Sequence, residues 1–133
     1  MPLARRGLAG RHTYVLIVEG RRTGRRYETP VRLLENGERW LVAPYGEVAW
    51  VRNARASGEV TLARAGKLER FSIEQADAGQ SAPVLRRYVK QVPVVRPFFD
   101  VGPRSDQADF AREASRHPVF RLVPARDQHR LSS

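Results

Sequence analysis

Apolar positions run without a break from Tyr14 to Val18, too few for a helix, and Gly20 closes the run. Residues 12–20 therefore read as a buried strand. Residues 29–34 read as a second strand, with Pro30 near its start, where a missing N–H is tolerated. Asn36-Gly37 signals a hairpin turn into a third strand at 39–43. The period then changes. Trp50, Asn53, Ala54 and Ser57 lie three and four apart, so residues 47–57 read as a helix that puts Trp50 and Asn53 on one face, with Gly58 as terminator. Strands at 60–65 and 68–74, joined at Ala65-Gly66-Lys67, give a second hairpin.

Ser81-Ala82-Pro83 reads as the start of a second helix, whose stripe of Leu85, Tyr88, Val89 and Val92 packs on the core. Pro93, Pro97 and Pro103 argue for an irregular wall or flap carrying Phe98 and Phe99. A last helix starts at Ser105 or Asp106, carries Asp109 in its first turn, and stops at His117-Pro118 before a closing strand at 119–123. Residues 1–11 and 125–133 read as loose ends. Two hairpins and a returning strand, with helices interposed, predict a mainly β (α+β) domain over residues 1–133: a small antiparallel barrel with peripheral helices.

Composition removes several chemistries. There is no cysteine, and His12, His117 and His129 have no ligand spacing, so no metal is expected. No apolar stretch approaches the roughly 20 residues that span a bilayer. The first residues lack the apolar centre of a signal peptide, and the expected location is cytoplasmic. The net charge is +10, and residues 1–26 hold seven arginines against Glu19 alone. Four of these arginines lie in "GRRTGRRYETP", directly after the first strand. Arg21, Arg22, Arg25 and Arg26 suit a phosphate or carboxylate, while a solvated basic turn would look the same. P-loop, dinucleotide-binding and nucleophile-elbow motifs are missing. Nucleic acid is not an expected partner, because no recognised motif accompanies the charge.

The order of "GRRTG", a proline six residues later, "NGERWLVAPYG" and "WVRN", followed by "APVLRRYV" and "HPVFRLVP", resembles the deazaflavin (F420)-dependent nitroreductase family over residues 12–124. The resemblance implies a six-stranded split β-barrel that binds coenzyme F420, a flavin-like anionic deazaflavin. Arg21, Arg22, Thr23 and Gly24 fall on the turn that holds the coenzyme's charged tail, and Thr29 and Pro30 on the adjoining groove. Ala43, Pro44, Tyr45 and Gly46 would pass under the ring, with Trp50 and Asn53 completing the pocket. Phe98, Phe99 and Phe110 would line the substrate side. Tyr27 and Tyr45 replace basic residues common in the family, and Tyr45 or water is left as proton donor. The implied activity is hydride transfer between F420 and a small hydrophobic acceptor: a quinone, enone or nitro compound. A non-catalytic cofactor or lipid carrier fits the same pocket. Related barrels often form homodimers.

Overall fold

The computed structural model describes residues 12–102 and 104–125. Its strands are β1 (Thr13–Glu19), β2 (Arg26–Arg32), β3 (Leu34–Asn36), β4 (Glu38–Val42), β5 (Glu59–Arg64), β6 (Lys67–Gln75) and β7 (Val119–Pro124). The helices are α1 (Ala49–Ser57), α2 (Ala78–Gln91), a 3-10 helix (Pro93–Phe98) and α3 (Gln107–Glu113). The strands form one antiparallel sheet in the order β2-β1-β5-β6-β7-β4-β3. It curls into a half-barrel whose end strands, β2 and β3, do not pair, as the expected split barrel requires.

Alternation along the strands gives each sheet face its own core. Leu16, Val18, Leu41, Leu62, Phe71 and Phe120 point to the face covered by α1, which contributes Val51 and Ala54. Their neighbours Val42 and Val119 point to the opposite face, beneath the α2 stripe of Leu85, Tyr88 and Val89 and beside Phe110. The site described below lies where α1, the β1–β2 loop and the β4–α1 loop come together.

Five expectations need correction. The second strand begins at Arg26 rather than residue 29, so Pro30 lies within it; β2 is an edge strand, and the missing N–H faces no partner. A break at Leu33 makes β3 a separate strand, giving seven strands rather than about six. Helix α2 starts at Ala78, ahead of Ser81, because Asp77 and Gln80 form a capping box. The proline-broken wall contains a regular element, the 3-10 helix, whose tight turns accept Pro93 and Pro97. Helix α3 stops at Glu113, ahead of His117. The loose ends lie outside the described residues, apart from Ala125.

Candidate functional site

The loop between β1 and β2 is closed by its own backbone. Gly20 N–H donates to the Arg25 carbonyl at 2.7 Å and Gly24 N–H to the Gly20 carbonyl at 2.9 Å, while Thr23 Oγ1 accepts from Arg25 N–H at 3.2 Å. A Cβ on Gly20 would stand 2.9 Å from Cε2 of Tyr27, so the bare glycine lets that ring lie against the loop. Helix α1 holds the loop from below. Asn53, 4% exposed, accepts at Oδ1 from both the backbone N–H of Arg21 (3.1 Å) and its Nη1 (2.7 Å). Two donors on one oxygen fix the orientation of the amide.

Sequence reasoning placed Arg21 and Asn53 at the site separately; the structure joins them in one helix-to-loop tie. Arg21 is therefore partly committed to the protein. The side chains of Arg22, Arg25 and Arg26 are exposed and, among the described residues, have no ion-pair partner. A groove of about 730 Å³ leads from Gly20, Arg21 and Arg26 past Thr61 and Arg70 to Ser57 at the end of α1. Glu19 and Glu59 also line it, and Arg70 is paired with Glu59 at 2.7 Å. Thr29 and Pro30 cannot face one groove together. Their partners on β1 are Leu16, in the core, and Val15, on the outer face.

The second part of the site is the β4–α1 loop. Ala43 is buried and its N–H donates to the Pro118 carbonyl at 2.9 Å, while Gly46 turns the chain with a φ of 85°. Tyr45 is 57% exposed and meets the edge of Phe98 with ring centroids 4.8 Å apart. Glu47, the nearest carboxylate in sequence, is engaged by Arg55 at 2.8 and 3.0 Å; those hydrogen bonds hold it below its usual pKa. Trp50 is half-buried and packs on the core near Phe120, at a centroid distance of 6.3 Å.

The three phenylalanines assigned to the substrate side separate. Phe98 is 52% exposed, but Phe110 is fully buried and Phe99 nearly so; both belong to the core on the α2 face. This corrects their assignment as a lining, since neither offers surface to a ligand. Tyr88, read as core, is indeed buried; burial and then the nearby Tyr45 phenol raise its pKa well above normal, with Arg32 opposing. His117, read as lacking ligand spacing and as the stop of the last helix, is buried beneath the β4–α1 loop. Glu113 lies four residues before it, but Phe99, on which it stacks, comes from a separate segment that no local pattern brings to it.

Residues 4–100 match the family described as F420H(2)-dependent quinone reductase. The matched stretch contains the basic loop, the β4–α1 loop and all of α1. The chain belongs to that family. No curated protein matches it. Among solved structures, an F420-H2 dependent reductase (FDR-A) is similar with 17% identity and a TM-score of 0.59, covering 84% of this chain and 94% of that one. The protein Atu2129 from Agrobacterium tumefaciens, of unknown function, has 20% identity and a TM-score of 0.59; the match covers 92% of this chain but only 52% of that one. The heme storage protein HutZ from Vibrio cholerae has 11% identity, a TM-score of 0.58 and coverage of 92% and 88%. Identities this low establish a shared fold. Among the described residues, no helix is long and apolar enough to cross a membrane, and no three His, Cys, Asp or Glu side chains are grouped to hold a metal.

Proposed function

We propose that this family member is an oxidoreductase that transfers a hydride between coenzyme F420 and an electron-poor organic acceptor, such as a quinone, an enone or a nitro compound. The family match carries this reading, because it spans both loops of the site. The donor set fits the coenzyme. An anionic tail needs cations that are not already neutralised, and Arg22, Arg25 and Arg26 meet that condition among the described residues. A planar ring needs a floor of small groups without a competing free charge. Pro44 and Gly46 provide one, Ala43 being buried in the core, and Arg55 neutralises Glu47 beside it.

When bound and reduced, the deazaflavin supplies the hydride. The chain's own residues bind, orient and exclude water. In this reading Arg22, Arg25 and Arg26 hold the tail, and Asn53, through Arg21, fixes the loop that presents them. Pro44 and Gly46 support the ring, while Tyr45 and Phe98 form the apolar rim against which the acceptor lies. An acceptor oxygen that becomes negative takes its proton from the Tyr45 hydroxyl or from water. Purified chain with reduced F420 and a soluble quinone should show catalysed recovery of the oxidised coenzyme's absorbance. Tight coenzyme binding with no turnover across the three acceptor classes would instead indicate a carrier.

A further inference from the structure

The 3-10 helix after α2 turns most of itself outward. Of its residues only Val95 is buried, while Pro93, Val94, Arg96, Pro97 and Phe98 are exposed. All of these but Arg96 are apolar, and Val94 is 71% and Phe98 52% exposed. A short surface element ordinarily does the reverse, burying its apolar side chains and leaving charge outside. The ridge continues into the site, because the exposed Tyr45 meets the edge of Phe98. The other large apolar side chains exposed among the described residues, Val15, Tyr27 and Leu68, lie on strands of the sheet.

The charge around the ridge has one sign. From Ala78 to Phe99, through α2 and the 3-10 helix, there is no aspartate or glutamate, whereas Arg86, Arg87, Lys90 and Arg96 all fall there. None of these four has an ion-pair partner among the described residues. Arg96 ties the ridge to α2: its Nε donates to the Val89 carbonyl at 3.0 Å and its Nη2 to the Lys90 carbonyl at 3.4 Å. A cation is thereby fixed where the two elements join, next to the exposed Lys90 in the last turn of α2. The first acid beyond the ridge, Asp100, is already paired with Arg116 at 2.8 Å.

We infer that the Val94–Phe98 ridge, with Lys90 and Arg96 at its base, docks the protein on the surface of an anionic lipid bilayer. An exposed apolar ridge bordered by uncompensated cations matches the two layers of such a surface. Its apolar side chains reach the acyl boundary, and the long basic side chains lie against the phosphates. Attachment is peripheral and reversible. Docked this way, the Tyr45–Phe98 edge stands at the lipid boundary, and a lipid-soluble acceptor reaches it without crossing water. That consequence rests on the proposed function; the docking itself does not.

The test is co-sedimentation of the full chain with phosphatidylcholine vesicles, with and without phosphatidylglycerol, at low and high salt. Because a net charge of +10 draws any chain toward an anionic surface, the variants must separate ridge from charge. Val94→Ser and Leu68→Ser each remove an exposed apolar side chain at constant charge, the first on the ridge and the second on β6. Val94→Ser should weaken binding to phosphatidylglycerol vesicles about tenfold, and Leu68→Ser should stay within about twofold of wild type. Lys90→Gln should weaken it about fivefold, and salt should weaken it for every protein. Val94→Trp gives a second readout: brominated acyl chains should quench its fluorescence on binding by more than they quench Trp40 and Trp50 of the wild type. Equal binding by Val94→Ser and Leu68→Ser, equal binding with and without phosphatidylglycerol, or no added quenching in Val94→Trp would overturn the docking. So would a wild type that ignores vesicles, including one whose dimer Val94→Ser dissociates in analytical ultracentrifugation, which would put a second copy on the ridge.

With reduced F420 present, Val94→Ser should raise the KM for a quinone carried in the vesicles several-fold and leave that for a water-soluble quinone unchanged. If the vesicle results hold but neither quinone turns over, the docking stands and the functional reading fails.

Discussion

At the scale of single residues, the contact between Asn53 and Arg21 organises the site. The two are 32 positions apart, so sequence could name each but could not pair them. A loop arginine looks free until a helix is folded beneath it. Asn53→Ala would leave the Arg21 N–H without its acceptor next to a buried position, at a cost of about 1–3 kcal/mol. A thermal melt should show that loss, and an unchanged melting temperature would show that water replaces the amide. His117 yields a second expectation. Burial lowers its pKa below the usual value near 6.5, with Arg116 adding and Glu113 and the carbonyls of Pro44 and Phe98 opposing. The unfolded chain therefore takes up a proton that the folded state resists, and folding loses stability as pH falls below about 6.5 while His117 adds no pH dependence above it. Melts between pH 8 and pH 5 should fall more steeply for wild type than for His117→Gln; parallel curves would remove His117 as the source.

At the scale of elements, legibility followed local signals. The β5–β6 turn falls at the predicted Ala65-Gly66, both with positive φ, and Gly58 ends α1 with a φ of 77°. The start of β2 was missed because Arg26, Tyr27 and Glu28 are all exposed on an edge strand, which leaves no apolar alternation to read. The start of α2 was missed although Asp77 and Gln80 carry the capping-box spacing, since Pro83 offered a competing start. The proline is exposed and lies inside the helix. Asp77 accepts from Gln80 N–H at 2.7 Å, so Asp77→Ala should cost about 1 kcal/mol. A shift of a few degrees in the melt would agree with a functioning cap; no shift would place the effective helix start later, near Ser81. The phenylalanines teach a related lesson: Phe98 and Phe110 differ little as letters, but one is on the exposed side of a 3-10 helix and the other lies under α2.

At the scale of the whole molecule, a half-barrel leaves two unlike surfaces beside its loops. The outer face of β2, β1, β5 and β6 carries Pro30, Val15, Ala63 and Leu68 in one cross-strand row. The β1–β2 loop and the first residue of β2 carry Arg22, Arg25 and Arg26, which are exposed and have no ion-pair partner among the described residues. Arg21, Arg22, Arg25 and Arg26 thus gather four of the 24 basic residues in one exposed stretch. In the proposed function this loop recognises the charged tail of coenzyme F420. The direct measurement is a fluorescence titration of the purified chain with F420, and with a tail-less deazaflavin fragment, at low and high salt, for wild type and for the combined Arg22→Ala, Arg25→Ala and Arg26→Ala variant. The variant should fold with nearly wild-type stability and bind F420 about 10- to 100-fold more weakly, with a shallower salt dependence. Both proteins should bind the fragment alike. Equal affinity and equal salt dependence of wild type and variant for F420, or no binding by wild type at all, would contradict it.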